Sequence, residues 1–225
     1  MTHNHFQRSY FLLTFLIFSF LAVFTGCKEG PPKEAGTFRT PDLVEVAALD
    51  SSIHLDIRYA TANNFTGQAV YSQPKAFLQR PAAEALVRTQ RKLYEKGFGL
   101  IVFDGYRPWT VTKLFWDKAT ENQRKVGFVA NPARGSRHNR GCAVDLTLYR
   151  LSTQQEVPMP SAYDEFTERA NPKYQGGNEE SRTFRDLLCS AMEAEGFTVE
   201  KEEWWHFDYK EWSSYPLLDL PFEKL

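Results

Sequence analysis

Three side chains of metal-binding type are spaced in a way that indicates chemistry. His138 and Asp145 are seven residues apart, and His206 follows in the run EEWWHFDY near the C-terminus. Two histidines and one carboxylate fill three positions around a tetrahedral zinc ion and leave the fourth for water, which is the arrangement of a catalytic site. The ion brings the pKa of that water towards ~7, so that a nearby carboxylate can remove its proton. The residue types therefore indicate a hydrolytic zinc centre.

Each of these residues also has an ordinary explanation. A lone histidine in an aromatic run, such as His206, is typical of a hydrogen-bonded core residue. Asp145 taken alone is explained by an ion pair with Arg140 or Arg150, since structural pairing of charges is common. His54 lies in an alternating apolar run and is interpreted as a strand histidine without a chemical role.

Asp145 lies in the middle of an otherwise apolar run, CAVDLTLYR. Alternate residues of a strand share a face, so Val144 and Leu146 point to one side and Ala143 and Asp145 to the other. A buried lone carboxylate is costly unless it is paired with a cation or bound to a metal. We therefore expect one face of this strand to be core and the other to form a site, in which the small Ala143 leaves room for an ion.

Two neighbouring acids are candidates for the base that activates the water. Glu203 precedes His206 by three residues and Glu202 by four. In an uninterrupted strand only Glu202 would share a face with His206. We expect Glu203 to be the base and to lie at a bend or bulge where the strand begins, and Glu202 is the rival on spacing alone.

Three helices are predicted around these residues, over 81–97, 108–122 and 179–196. Pro81 and Pro108 suit the first positions of the first two, and Gly97 and Gly196 end the first and the third. The residues expected to face the core recur at helical spacing: Ala82, Leu86, Leu93, Val111, Leu114, Phe115, Phe184, Leu187, Leu188 and Ala191.

Four strand-like runs lie at 52–60, 99–106, 142–150 and 199–209. Strands and helices do not alternate strictly, and the last strands come late in the chain. This order favours an α+β domain with a central, mostly antiparallel sheet flanked by helices over a doubly wound fold. We expect a single domain over residues 41–225.

Two further patterns carry a family resemblance. Ser136, His138, Gly141, Ala143 and Asp145 fill the pattern S-x-H-x-x-G-x-A-x-D, and residues 203–206 fill E-x-W-H. Together they resemble the paired signatures of the zinc D-alanyl-D-alanine peptidases related to Hedgehog-type domains. The runs DGYRP, RYATANNFTG, DLTLYRL and VPMPSAYDEF are similar to those of the VanX-type D-alanyl-D-alanine dipeptidases. The likeness covers about residues 53–222.

The resemblance implies a metal centre and a base. His138, Asp145 and His206 match the ligands of one Zn²⁺ per chain. Glu203, and not Glu202, matches the catalytic acid/base.

The resemblance also implies how a substrate would be held. Arg107 of DGYRP matches the arginine that stabilises the developing oxyanion, a task suited to a rigid, permanently charged guanidinium. Asp164 matches the carboxylate that receives the free amino group of the substrate, and Ser136, Tyr59 and Tyr71 match groups that line the dipeptide pocket.

The implied reaction is zinc-dependent hydrolysis of D-alanyl-D-alanine to two D-alanines, in cell-wall peptide turnover or D-alanine salvage. Two alternatives stay open. A D,D-carboxypeptidase acting on longer peptidoglycan stems would leave open the side that Asp164 closes. A non-catalytic, zinc-containing wall-binding lipoprotein would need neither Glu203 nor Arg107.

The first 26 residues are predicted to be a lipoprotein-type signal peptide. The apolar run FLLTFLIFSFLAVF is short for the ~20 residues that span a bilayer, and the small residues before Cys27 resemble a lipobox. We expect acylation of Cys27 and an exported protein that a lipid anchors to a membrane, facing the periplasm or the cell exterior. Residues 27–40 are polar, contain paired prolines and are predicted to be a tether.

Composition excludes some partners. Lys and Arg number 27 and Asp and Glu 28, for a net charge of −1, so the basic footprint of a nucleic-acid-binding protein is missing. Besides Cys27 only Cys142 and Cys189 are present, too few for a disulfide framework, although a single bridge is left open. The sequence does not indicate an oligomeric state.

Overall fold

The computed structural model describes residue 1 and the ranges 30–125 and 127–225. Apart from residue 1, the predicted signal peptide lies outside the described residues, as do Cys27 and the first residues of the tether. Within the described ranges, no helix has both the length and the apolar character needed to cross a bilayer.

Seven strands and five helices are present in the described ranges. The strands are β1 Leu43–Glu45, β2 His54–Leu55, β3 Phe77–Gln79, β4 Phe98–Asp104, β5 Ala143–Arg150, β6 Phe197–Glu200 and β7 Glu203–Tyr209. The helices are α1 Val46–Leu49, α2 Arg80–Tyr94, α3 Trp109–Lys118, α4 Glu121–Lys125 and α5 Glu179–Glu193.

The central sheet has the strand order β2-β4-β5-β7-β6. Only the β2–β4 pair is parallel, and the other three pairs are antiparallel. Strands β1 and β3 form a separate antiparallel pair. The predicted α+β class with a mostly antiparallel sheet flanked by helices is confirmed.

Helices α2 and α5 cover one face of the central sheet. Helix α2 packs on β4, α5 packs on β6, and the two helices contact each other. Their apolar residues meet the sheet as the helical spacing predicts, since Ala82, Leu86, Leu93 and Leu188 are completely buried and Phe184 is nearly so. Strand β5 is covered on both sides, and only its last residue is partly exposed.

The second predicted helix is shorter than expected. Helix α3 ends at Lys118 because Ala119 adopts an extended conformation, and α4 begins two residues later. Thr120 and Gln123 cap α4 reciprocally: the Gln123 amide oxygen accepts from the Thr120 backbone N–H at 2.8 Å, and the Thr120 hydroxyl accepts from the Gln123 N–H at 3.3 Å. This capping box favours a new helix start at that point.

Two of the predicted strands also differ from the structure. In the run 52–60 only His54–Leu55 pairs with β4, and Arg58–Ala60 forms a 3₁₀ turn. The run 199–209 is the end of β6 joined to β7 by a turn at residues 201–202. The β6–β7 register shifts between Val199 and Glu200, so that Glu200 lies opposite Glu203.

The described part of the predicted tether lies against the domain. The Arg140 guanidinium pairs with the Glu34 carboxylate, whose second oxygen accepts from the Leu217 N–H at 2.8 Å. Arg39 pairs with Glu211. Residues 34 and 39 of the predicted tether thus contact the domain through these ion pairs. The thiols of Cys142 and Cys189 are both free.

Candidate metal centre and active site

His138 lies in a 3₁₀ turn, His138–Arg140, that leads into β5. The Ser136 hydroxyl accepts from the His138 backbone N–H at 3.2 Å at the start of the turn. Gly141 ends the turn in the left-handed conformation, with φ +67°, and a Cβ there would lie 2.4 Å from Leu43 Cδ2. The left-handed backbone therefore favours the glycine of the S-x-H-x-x-G-x-A-x-D pattern, and a side chain there would also displace Leu43.

The structure brings His138, Asp145 and His206 together. Asp145 of β5 lies opposite His206 of β7 in the antiparallel register. His206 Nδ1 is 3.0 Å from Asp145 Oδ1 and 3.1 Å from His138 Nε2, and His138 Nε2 is 3.4 Å from Asp145 Oδ1. Ligands ~2.0–2.1 Å from zinc in a tetrahedral site are roughly 3.3–3.4 Å from one another. The three donor atoms therefore fit a zinc ion.

In each histidine, the ring nitrogen that faces away from the three donor atoms supports the same assignment. His138 Nδ1 is 2.7 Å from the carbonyl oxygen of Gly105, which can only accept, so the proton lies on Nδ1 and leaves Nε2 for a metal. His206 Nε2 is 3.1 Å from an Asp208 carboxylate oxygen, which leaves Nδ1 of that ring for the metal. Hydrogen bonds of this kind accompany almost all metal-binding histidines.

A cavity of about 480 Å³ opens beside the three donor atoms. Its volume lies within the roughly 300–1,000 Å³ of small-molecule sites. Eight of the nine residues proposed for metal binding, catalysis or substrate binding line the cavity, and the aromatic Trp205 lines it with them. The eight are Tyr59, Arg107, Ser136, His138, Asp145, Asp164, Glu203 and His206.

Glu203 reaches this cavity through the irregularity at the start of β7. In a regular strand Glu203 would face away from His206, because the two are three residues apart. The register shift opposite Glu200 turns Glu203 to the side of the sheet that carries the site. Burial raises the pKa of the Glu203 carboxyl to about 7, and His206 partly opposes that rise. Glu202 is exposed in the β6–β7 turn and does not line the cavity.

Arg107 enters the cavity from the segment that follows β4. Its Nε and one terminal nitrogen donate to Asp104 Oδ2 at 3.0 and 2.6 Å, and its guanidinium lies 4.7 Å from the Phe115 ring centre. Burial lowers the pKa of Arg107, but the Asp104 carboxylate outweighs this and holds it well above its usual value. Arg107 is thus a fixed positive charge on the cavity wall.

Asp164 is a carboxylate without a cationic neighbour in contact. Its backbone is left-handed, with φ 58°, and its Oδ2 accepts from the Tyr59 hydroxyl at 3.1 Å. Within the described ranges it forms no ion pair. Burial and repulsion by Asp145 and Glu203 raise its pKa well above the usual range. A cation placed in the cavity would relieve this repulsion.

Tyr71 is not where the resemblance implies. It does not line the cavity; instead its buried hydroxyl donates to Asp104 Oδ1 at 2.7 Å. Asp104, at the end of β4, accepts from Tyr71 with one carboxylate oxygen and from Arg107 with the other. Tyr71 therefore supports the carboxylate that holds Arg107 in place.

Three site residues were not identified from the sequence. Asp104 anchors Arg107, Tyr163 donates its hydroxyl to Asp145 Oδ2 at 3.0 Å, and Asp208 accepts from His206. The signal for Asp208 was available, since it is two residues from His206 and thus on the same face of a strand. Tyr163 lies in a loop, whose approach to Asp145 no local pattern predicts.

The comparisons with known proteins agree with this geometry. A family model described as D-ala-D-ala dipeptidase matches residues 39–220. A D-alanyl-D-alanine dipeptidase of Escherichia coli K12 is 32% identical over 179 residues, covering 80% of this chain and 90% of the relative. One of Enterococcus faecium is 34% identical over 181 residues, covering 71% and 88%.

Solved structures show a more distant likeness. The LD-carboxypeptidase LdcB has a TM-score of 0.44 at 19% identity, covering 85% of this chain and 81% of its own. The vancomycin-resistance D,D-pentapeptidase VanY, in complex with Zn(II), has a TM-score of 0.39 at 17% identity, covering 72% and 81%.

Proposed function

The chain belongs to the D-ala-D-ala dipeptidase family, and we infer from this that it hydrolyses D-alanyl-D-alanine to two D-alanines in a zinc-dependent reaction. The observation that carries the inference is one cavity that joins three metal donors, a carboxylate of raised pKa, a fixed guanidinium and a half-buried carboxylate without an ion pair among the described residues. Asp164 suits the charged amino end of a dipeptide, and the metal donors, Glu203 and Arg107 suit its central peptide bond.

His138, Asp145 and His206 are the residues proposed to hold zinc, one ion per chain. Bound there, Zn²⁺ supplies a Lewis acid that polarises the scissile carbonyl and lowers the pKa of water. Within the described ranges these three residues form the only cluster of histidine, cysteine and carboxylate side chains with donor atoms close enough for a metal. Metal analysis of the purified protein is expected to give one zinc per chain.

Glu203 is proposed as the group that moves protons. Its carboxylate takes a proton from the attacking water and returns it to the amine of the leaving D-alanine. Burial raises its pKa above the ordinary glutamate value, to about 7 in the absence of metal. This brings its uptake and release of a proton closer to neutral pH, where general acid/base catalysis is most effective.

Arg107 is proposed to stabilise the negative charge on the oxygen of the tetrahedral intermediate. Arg107→Lys keeps the positive charge beside Asp104 and loses the rigid fork of donors. We expect kcat to fall by about 10²–10³-fold, the usual effect of removing an oxyanion donor, with a smaller change in KM. Steady-state kinetics with zinc content as a check measure this. Arg88→Lys, at a surface pair with Glu195, is the matched control, and equal effects of both variants would contradict the role.

Asp164 is proposed to bind the free amino group of the dipeptide. Asp164→Asn removes the charge but keeps the Tyr59 contact, so kcat/KM for D-alanyl-D-alanine should fall roughly 10–100-fold, as for loss of a charged hydrogen bond. The same variant should lose little activity on N-acetylated D-alanyl-D-alanine, which has no ammonium group. Equal losses on both substrates would show that Asp164 acts elsewhere.

The pH dependence follows from Glu203. Burial raises its pKa to about 7 without metal, and a neighbouring dication lowers that pKa. The acid limb of kcat/KM should therefore have its midpoint between the ordinary glutamate value of about 4.3 and 7. Activity should fall tenfold per pH unit below the midpoint, because a protonated Glu203 accepts no proton. A pH profile measures this, and a midpoint above 7 would be inconsistent with Glu203 as the base.

One assay separates the dipeptidase from its alternatives. The purified protein is given D-alanyl-D-alanine and, separately, a pentapeptide stem ending in the same dipeptide, each with and without a chelator. We expect faster cleavage of the free dipeptide, loss of activity with chelator and recovery with zinc. Faster cleavage of the stem would identify a D,D-carboxypeptidase, and stoichiometric zinc without cleavage of either substrate would identify a binding protein.

The location of the enzyme is a separate proposal that rests on the sequence alone. An exported lipoprotein anchored at Cys27 would meet D-alanyl-D-alanine released from the wall and not newly made cytoplasmic dipeptide, which favours wall turnover or D-alanine salvage. Labelled palmitate should be incorporated by the wild-type chain and not by Cys27→Ala, which should leave the membrane fraction. A labelled Cys27→Ala protein in the membrane fraction would refute the anchor.

A further inference from the structure

Asp208 lies beside the proposed zinc site without being a ligand. It is two residues after His206 in β7, so the two side chains share a face of the strand, and its Oδ1 is 3.1 Å from His206 Nε2. Within the described ranges no other acceptor lies within hydrogen-bonding distance of that ring nitrogen. The residue is only 8% exposed, so its charge needs a partner inside the protein.

Arg137 provides this partner. Its Nε is 3.2 Å from Asp208 Oδ2, so one carboxylate oxygen faces the histidine and the other faces the guanidinium. Arg137 also lies 4.9 Å from the Trp212 ring centre and 3.6 Å from a Glu200 oxygen. These contacts hold the guanidinium against β6 and β7.

Arg137 and Asp208 lie on the two chain segments that carry the histidine ligands. Arg137 directly precedes His138 and begins the turn that carries it, whereas Asp208 follows His206 on β7. The Arg137–Asp208 pair therefore connects the two segments that carry the histidine ligands, and the carboxylate lies between the guanidinium and the imidazole.

We propose that Asp208, held by Arg137, is a positioning residue for His206: it fixes the rotation of the imidazole and keeps the proton on Nε2, so that Nδ1 faces the metal. The inference rests on the proposed zinc site. An ion pair that only balanced charge would not need the second oxygen of Asp208 directed at the ring. The readout that distinguishes the two is zinc affinity.

The test measures the zinc dissociation constant of metal-free protein by competition with a chromophoric chelator. For Asp208→Ala we expect an increase of about 10–100-fold, the usual effect of losing the partner of a metal-binding histidine. Asp208→Asn should have a smaller effect, because its amide oxygen still accepts from Nε2. Arg137→Gln should weaken binding in the same direction, and Arg137→Gln combined with Asp208→Ala should add little to Asp208→Ala alone.

Glu200→Gln is the matched control for zinc affinity. Glu200 contacts the same guanidinium at 3.6 Å but touches neither histidine nor Asp208, so its substitution should raise the zinc dissociation constant far less than Asp208→Ala does. Thermal unfolding of each metal-free variant checks the fold. If Asp208→Ala does not fold, Asp208→Asn against Glu200→Gln makes the same comparison.

The outcomes separate this inference from the proposed site. Wild-type affinity in both Asp208→Ala and Asp208→Asn would overturn the positioning role, and so would an equal loss in Glu200→Gln. His206→Ala is included because it removes a ligand. If that variant binds zinc as tightly as wild type, the proposed metal site is wrong, whatever the Asp208 variants show.

Discussion

Glu203→Gln is expected to retain zinc and to hydrolyse D-alanyl-D-alanine about 10²–10⁴-fold more slowly than the wild type, the range by which a general acid/base contributes. Glutamine has nearly the same shape but an amide that accepts no proton at neutral pH. Glu203 is not among the three residues whose donor atoms cluster, so metal content should not change. The loss should appear in kcat more than in KM, because the proton moves during the chemical step.

Glu202→Gln is the matched control for this prediction. The two glutamates are adjacent in sequence, yet Glu202 is exposed in the β6–β7 turn whereas Glu203 lines the cavity. Kinetics and zinc content of both variants, measured side by side, decide the assignment. An active Glu203→Gln enzyme together with an inactive Glu202→Gln enzyme would reverse it.

Asp145→Ala is expected to abolish both zinc binding and activity. Asp145 Oδ1 is within 3.0–3.4 Å of the donor nitrogens of both histidines, and the carboxylate is the only negative charge among the three ligands. Its loss leaves two neutral ligands and a cavity in place of the third. Zinc content after dialysis and turnover with added zinc measure the effect.

Tyr163→Phe serves as the control for Asp145→Ala. It removes the hydrogen bond at 3.0 Å to the other oxygen of Asp145 and leaves the ligand itself in place. We expect this variant to bind zinc about 10–100-fold more weakly, the usual effect of losing a hydrogen-bond partner of a ligand, whereas Asp145→Ala loses zinc altogether. Full zinc occupancy and normal turnover in Asp145→Ala would show that the metal binds elsewhere.

Strong local patterns predicted much of the fold. Helices α2 and α5 have apolar residues at helical spacing and clear start and stop residues. Most of their expected core residues are buried, and Leu187 and Ala191 are partly buried. The prediction failed where a local hydrogen bond interrupts a longer pattern. The Thr120–Gln123 capping box divides the second helix, and the turn at residues 201–202 divides the last strand.

The candidate site was predictable in its residues more than in its geometry. Parity on β5 separated Asp145 from Val144, because that argument depends on a single strand. The position of Tyr71 depends on how residues far apart in the chain pack around Asp104, and sequence motifs do not contain that information. The motif therefore identified Tyr71 as a site residue. It did not show that Tyr71 contacts Asp104 and not the cavity.

The β5–β7 register that places Asp145 opposite His206 also affects chain entropy. The two residues are 61 positions apart, so a metal ion bound by both closes a long loop, as a covalent cross-link does. The chain-entropy estimate for a disulfide closing a loop of that length is about 4 kcal/mol. The described cysteines form no disulfide. The ion used for hydrolysis would therefore also cross-link the C-terminal hairpin to the rest of the sheet.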